Sequence, residues 1–279
     1  MTAPYASARL RDMETIAAIV VTYNRAETLA ETLGAIKAQS RPPDVVYVVD
    51  NASIDETQEV VSRFGCRYLR LDENLGYAAG LAHGMHRAYE DGADRLWLMD
   101  DDTQPRAGAL ERLLTEVRPR RVVALGGAML KKGVPIGGHQ SGEVDCILVD
   151  SSLFPREVVE EVGLPRASFF MMFEDVEYSH RLREKGFELW RIRDELSDHK
   201  HMGSSDPDQY PWRNYYQTRN HLRVSLERRS LVELFGWFTR QCRFIGKALL
   251  ERRWVSIRLR LRGAWDGLRA IEGRTIEPR

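Results

Sequence analysis

The 279-residue chain is poor in three things, and each scarcity closes off a class of protein. Cysteine occurs only as Cys66, Cys146 and Cys242, far apart and never as C-x-x-C. That excludes a disulfide framework and a cysteine zinc site, and a reducing cytoplasm is the expected compartment. No run of about 18 apolar residues exists, and the opening MTAPYASARLRDMET lacks the apolar centre of a signal peptide. The expectation is a protein neither exported nor membrane-spanning. Charge of one sign is lacking too: 41 basic residues balance 41 acidic ones, which argues against a basic nucleic-acid binder. No internal repeat or low-complexity tract occurs. What is present is an ordinary apolar fraction of 43%, enough for a sizeable core. There is also an asymmetry, because arginine dominates after about residue 219 while acidic residues punctuate the first two thirds.

IAAIVV (16–21), VVYVVD (45–50), CRYLRL (66–71) and LWLM (96–99) are short apolar runs of the kind that form buried strands. Helical spacing lies between them, as in Leu29, Leu33 and Ile36, over 55–64, and over a small-residue stretch ending at Gly92. This alternation predicts an α/β fold with a mostly parallel sheet flanked by helices. Ligands of such sheets bind beyond the carboxyl ends of the strands, where Thr22–Arg25, Asp50–Asp55 and Asp100–Asp102 all fall. Further on, the pattern predicts a hairpin or mobile loop over 126–142 and a strand over 144–154. Helices follow over 156–165 and 174–186, then a strand over 187–192, a polar loop over 194–211 and helices from about 211. The division is a domain of residues 1–210 and a helical C-terminal region of 211–279.

RLWLMDDDTQP (95–105) runs an apolar strand into three aspartates. Asp102 or Thr103 as the N-cap of a following helix is the plainest explanation. At a strand end, clustered carboxylates also suit a divalent cation with oxygen ligands, and the alternate pair Asp100 and Asp102 can share one ion. The D-x-D-x-T/V register of haloacid-dehalogenase phosphatases fails, because Thr103 directly follows Asp102. Asp50, in VVDNASID, is either a cap or an acceptor for a nucleobase imide or ribose hydroxyl.

Together VVTYNRAETLAETLGAI, VVDNASIDET, DENLGYAAG, LWLMDDD and FFMMFEDVEYSHRLREKGF resemble, in this order, the family-2 inverting glycosyltransferases of GT-A (Rossmann-like) fold. The resemblance covers roughly residues 15–205. It implies that Thr22, Tyr23, Asn24 and Arg25 lie against a nucleotide, that Asp50 bonds its base, and that Asn74 and Gly76 frame it. It implies that Asp100 and Asp102 hold Mn²⁺ or Mg²⁺ on a diphosphate, with Asp101 facing the sugar or a basic group. Asp175 would be the general base and Glu174 would orient the acceptor, although both also suit the first turn of a helix. His199, or His201 as the fallback, would complete the metal ligands.

The run YPWRNYYQTRN is too short, in a neutral chain, to suggest nucleic acid. It resembles a segment of bacterial galactofuranosyl and rhamnosyl transferases, making Trp212, Arg213, Tyr215, Arg219 and Asn220 candidates for donor-phosphate or acceptor contacts. That likeness favours UDP-galactofuranose as donor, then dTDP-rhamnose, and a cell-envelope glycan or lipid-linked acceptor. Two apolar stripes follow, one from Leu231 to Leu249 and one from Trp254 to Leu268. They either pack on the catalytic domain or a second subunit, or lie on the inner face of the membrane, since arginines surround the second stripe. Two rivals remain. A nucleotidyltransferase would carry a Gly- and basic-rich signature where this chain has TYNRAET, and a non-catalytic membrane scaffold would not need Asp100, Asp102 and Asp175.

Overall fold

Seven consecutive buried residues make β1 (Ile16–Thr22) the centre of the molecule. The computed structural model describes residues 14–116, 122–125, 129–131, 134–136, 141–192, 194, 196–199 and 210–277. Successive side chains of β1 point to opposite faces, and both faces are covered. Ala17, Ile19 and Val21 pack with Leu81 and Met85, whereas Ile16, Ala18 and Val20 pack with Leu29, Leu33 and Ile36. The first set of partners lies on α3 (Tyr77–Glu90) and the second on α1 (Ala26–Lys37), with α2 (Thr57–Arg63) beside α1. Cutting a fully buried leucine of this kind to alanine costs roughly 2–5 kcal/mol.

Around β1 lie β2 (Val45–Asp50), β3 (Arg67–Arg70) and β4 (Arg95–Asp100), all parallel. The short β5 (Thr103–Pro105) leads to α4 (Ala109–Glu116). Next come β6 (Val122–Leu125), β7 (Met129–Lys131), β8 (Val134–Ile136), β9 (Gly142–Glu143) and β10 (Ser152–Pro155). The helices α5 (Glu157–Glu161) and α6 (Glu174–Glu184), then β11 (Glu188–Arg191) and β12 (Ser197–His199), complete the α/β part. The main sheet runs β3-β2-β1-β4-β10-β6-β11-β9, and a smaller one runs β5-β12-β7-β8. Three C-terminal helices follow: α7 (Arg213–Glu227), α8 (Leu231–Leu250) and α9 (Trp254–Leu268). Ser230 caps α8 by accepting from the Glu233 N–H at 3.2 Å.

The expected alternation, parallel core and C-terminal helices are all present. Two local expectations are corrected. Residues 144–154 are not one strand, because the chain crosses from β9 at the sheet's edge to β10 between β4 and β6, and a single strand cannot occupy both places. The polar loop over 194–211 contains β12, which pairs antiparallel with β5 and sets His199 opposite Thr103. The glycine-rich stretch includes the hairpin β7–β8. His201 lies outside the described residues.

Candidate active site

Register brings the strand ends together: Thr22 lies beside Asp50, and Val21 beside Asp100. The edge they form is one wall of a cavity of about 460 Å³ lined by Thr22, Tyr23, Arg25, Asn74, Gly76, Asp100, Asp101, Glu174, Trp212 and Arg213, among others. Helix α3 reaches this edge because glycines let it sit close to the sheet. A Cβ on Gly84 would stand 2.4 Å from Ile19 Cγ2, and one on Gly80 would stand 2.6 Å from Val21 Cγ1. Gly76, at φ +89°, turns the chain into α3, and a Cβ there would strike the Phe170 carbonyl oxygen at 2.3 Å. Asn74 holds that turn by accepting from the Gly76 N–H at 2.9 Å.

Each aspartate of the triplet has a different environment. Asp100 lies at the cavity, with Oδ1 buried and without a hydrogen-bond partner. Asp101 faces inward, accepting from Thr22 Oγ1 at 2.9 Å and Arg25 at 3.0 Å. Burial pushes its carboxyl up to about 6 against the pull of Arg25. Asp102 is bridged by Arg25 at 3.1 Å on one oxygen, and its other oxygen is 3.1 Å from His199 Nε2. The same nitrogen is 3.6 Å from Asp100 and 3.9 Å from Asp150.

Asp150 went unnoticed in the sequence because 144–154 looks like an uninterrupted strand. It ends the crossing segment just before β10, accepting from the Asp100 N–H and the Thr103 hydroxyl, both at 2.8 Å. One ligand atom each from Asp100, Asp150 and His199 lie within 4.8 Å of one another. Burial, then the charge of Asp100, pushes Asp150 up to about 8. Burial would lower His199, but the flanking carboxylates outweigh it and raise the imidazole to about 9. Carboxylates crowded this closely, with an unpartnered Asp100 oxygen among them, fit a divalent cation with oxygen and imidazole ligands.

Glu174 and Asp175 open α6. Glu174 lines the cavity, and its Oε2 is buried without a partner. Burial, reinforced by Asp175, pushes Glu174 up to about 8. Burial raises Asp175 to about 6, restrained by the Val176 N–H that it accepts at 2.8 Å. Arg213 also faces the cavity, stacked 4.7 Å over Tyr210 and 5.5 Å over Trp212, with its Nε buried and unpartnered. Burial, then nearby Arg25, lowers its pKa. An anion is what such a desolvated guanidinium lacks.

The remaining sequence candidates are not on the cavity wall. Asp50 is fully buried and already accepts from Ser53 N–H, Tyr68 hydroxyl and Arg70. Asn24, at φ +53°, ties its loop to residue 54 by accepting from the Ile54 N–H. Tyr215 donates to Asp266 at 2.7 Å, and Arg219 and Asn220 are buried behind residues 169–172. In their place the cavity presents Asn51, whose Oδ1 is buried and unpartnered, and Tyr77, whose hydroxyl is too. Asn51 was legible within VVDNASID but stood in the shadow of Asp50.

A family model described as glycosyl transferase family 2 matches residues 17–163, over half of the chain. Among curated relatives, Galactofuranosyltransferase GlfT1 of Mycolicibacterium smegmatis is 31% identical over 201 residues, covering 62% of this chain and 67% of that protein. Its namesake from Mycobacterium tuberculosis H37Rv is 27% identical over 292 residues, covering 88% of this chain and 94% of the relative. Solved structures with the same fold include S. aureus TarS 1-349 in complex with UDP-GlcNAc, at 17% identity and a TM-score of 0.58, covering 77% of this chain and 66% of that one. Mannosyltransferase PcManGT from Pyrobaculum calidifontis, in complex with GDP-Man and Mn²⁺, has a TM-score of 0.58 at 15% identity and covers 95% and 93% of the two chains. These likenesses give the GT-A fold, and the matched stretch spans the strands that carry Thr22, Asp50 and the aspartate triplet. The chain belongs to glycosyl transferase family 2.

Proposed function

We propose that the protein is a metal-dependent, inverting glycosyltransferase that moves a sugar from a nucleoside diphosphate to a hydroxyl of a cell-envelope glycan or glycolipid. The observation that carries this reading is the meeting of Asp100, Asp102, Asp150 and His199 beside a cavity that also holds Glu174 and Arg213. Mn²⁺ or Mg²⁺ held by those ligands would neutralise the donor diphosphate and stabilise the charge left on it. Arg213 supplies a desolvated cation to the same anion.

Asp175 is the base. It takes the acceptor hydroxyl proton as that oxygen attacks the anomeric carbon and the bond to the diphosphate breaks on the opposite side. Burial raises both carboxyls and the charge of Asp175 pushes Glu174 up further, so the pair holds a shared proton more readily than separate carboxylates. With the Val176 N–H on Asp175, the proton belongs on Glu174, which can then donate to the acceptor. One observation favours the reverse assignment, since Glu174 lines the cavity and Asp175 does not.

Likeness to the two galactofuranosyltransferases supports UDP-galactofuranose as donor, ahead of dTDP-rhamnose. Residues 1–210 would bind donor and metal, and residues 211–279 would serve the acceptor side apart from Arg213, which reaches the donor cavity from the start of α7. Eleven of the fifteen exposed large apolar side chains among the described residues lie on α8 and α9, from Leu231 to Leu268. Residues 228–269 carry eleven basic side chains against three acidic ones. Among the described residues no helix is long and apolar enough to cross a membrane. That face supports peripheral attachment to an anionic cytoplasmic leaflet, near a lipid-linked acceptor.

A thermal-shift panel of nucleotide sugars with and without Mn²⁺ tests the donor reading. A bound donor raises the melting temperature by mass action. UDP-galactofuranose should give the largest metal-dependent rise, and no rise with any nucleotide sugar would refute the reading.

A further inference from the structure

The five residues before Glu174 follow a backbone path that ordinary side chains avoid. Phe170, Met172 and Phe173 have φ of 65°, 68° and 69°, and none is glycine. Phe170, with ψ −62°, is the centre of a positive-φ γ-turn closed by the Met171 N–H on the Phe169 carbonyl at 2.8 Å. Such a path persists only where its surroundings over-determine it.

What over-determines it is Asn220 of α7. Its amide nitrogen lies 3.0 Å from the Phe169 carbonyl, 2.9 Å from that of Met171 and 2.8 Å from that of Met172. Two N–H hydrogens thus serve three carbonyls, so one bond is shared. Its Oδ1 accepts from Arg219 Nε at 2.8 Å, which orients the amide so that its nitrogen faces the loop. Arg219 adds a bond of its own to the Phe169 carbonyl at 3.1 Å and is braced by the Gly273 carbonyl at 2.8 Å. Both side chains are fully buried. The end of the chain holds the same loop, since Gly273 N–H donates to the Ser168 carbonyl at 2.6 Å. The loop in turn touches the nucleotide side, where the Phe170 carbonyl accepts from the Ala78 N–H at 3.1 Å.

We propose that Asn220, braced by Arg219, is a positioning residue that sets the Glu174–Asp175 pair against the acceptor by fixing the loop that delivers it. The role rests on the glycosyl-transfer reading, and neither side chain reaches the cavity. Asn220 replaces, as the functional element of YYQTRN, the direct phosphate or acceptor contact that the motif suggests.

The full chain carrying Asn220→Ala, and separately Arg219→Lys, is compared with wild type for UDP affinity with Mn²⁺ by calorimetry, donor KM, kcat and melting temperature. A small misplacement of a reacting group costs up to about 100-fold in rate, so Asn220→Ala should lower kcat about 10- to 100-fold. UDP affinity and donor KM should stay within about threefold, because the metal ligands and strand ends are untouched. Arg219→Lys keeps a cation but loses the planar fork, and should lower kcat less while showing the same split. If Asn220→Ala does not fold, Arg219→Lys decides alone. A kcat within threefold of wild type overturns the role, as does a parallel loss of UDP affinity and kcat, which would mark a merely structural residue. Wild-type protein inactive with every nucleotide sugar would overturn the functional reading, and this role with it.

Discussion

Two regions of this molecule break the same rule in opposite directions. At the strand ends, charge is buried: Asp101, Asp102 and Asp150 are 6%, 4% and 6% exposed. On α8 and α9, apolar surface is exposed, with Leu250 at 88% and Trp265 at 61%. Burying carboxylates is costly unless they are paired, and a broad apolar face in water calls for a partner. The strand-end cluster is narrow, and two cations, Arg25 and His199, already point into it. A divalent cation suits such a cluster. The helical face is broad, with eleven exposed large apolar side chains, and exposed arginines stand among them, the pattern proposed above to meet a surface. On the proposed reading, each violation answers to something outside the chain.

Removing charge from the first region should have the largest effect. Asp100→Ala, or chelation of divalent ions, should reduce transfer by more than about 1000-fold, since metal and electrostatic stabilisation of a leaving group supplies several kcal/mol. Asp175→Asn should abolish transfer to a similar degree while UDP binding survives, because the metal ligands stay. Glu174→Gln should be milder, because glutamine imitates a carboxyl that keeps its proton. Kinetics of the two variants side by side decide the base: if Glu174→Gln proves the more damaging, the roles are exchanged.

Proton linkage sharpens the same region. Asp150, Glu174, Asp101 and His199 all have folded-state pKa values raised above their usual ones, so the metal-free native state binds more protons than the unfolded chain. Their stabilising contribution is complete below the usual carboxylate range and is lost as pH rises through about 6 for Asp101, about 8 for Asp150 and Glu174, and about 9 for His199. The melting temperature of metal-free protein should fall between pH 5 and pH 9, and Mn²⁺ should raise it more at pH 8 than at pH 6, where protons compete for the ligands (roughly a few degrees of difference). Scanning calorimetry in both buffers checks this, and an equal Mn²⁺ effect at the two pH values would remove the cation from the cluster. Activity should rise with pH through about 6 as Asp175 ionises and decline beyond about 8 as Glu174 loses its proton.

Why some of this could be read from sequence and some not follows from the range of the interactions. Strand ends are local: an apolar run followed by a polar residue marks its own place on the sheet edge, so Thr22, Asp50 and Asp100 could be assigned together. His199 could be nominated by likeness, but its place depends on β12 pairing with β5, across nearly a hundred residues. Asp150 was hidden because the sequence around it looks like strand; its role comes from a crossing between two distant strands that no local pattern reports. The commitments of Asp50 to Tyr68 and Arg70 are cross-strand pairs of the same kind. Asn220 is the extreme case, since a polar residue in an amphipathic helix gives no sign that it faces three carbonyls some fifty residues earlier in the chain.

The helical face allows the mildest test, and its geometry decides which variant to make. Cutting the chain near residue 230 would remove the apolar stripes, but also the segment around Gly273 that braces Arg219 and the contacts of α9 with α7. A loss of activity in that truncation would say nothing about a membrane. Trp254 and Trp265 are 60% and 61% exposed, so replacing both with serine leaves the packed side of α9 intact. Each tryptophan withdrawn from a headgroup boundary removes on the order of 1 kcal/mol of binding, so the double variant should bind phosphatidylglycerol vesicles about 30-fold more weakly. Transfer to a water-soluble acceptor should be unchanged, and melting temperature nearly so. Wild-type binding that is weak, or equal on phosphatidylcholine and phosphatidylglycerol, would instead assign the face to another protein surface, and a concentration-dependent dimer lost in the double variant would identify that surface as a second copy of the chain. Membrane binding that falls without any change in soluble transfer would show that the two exceptions to the burial rule serve separate purposes, chemistry at one end and address at the other.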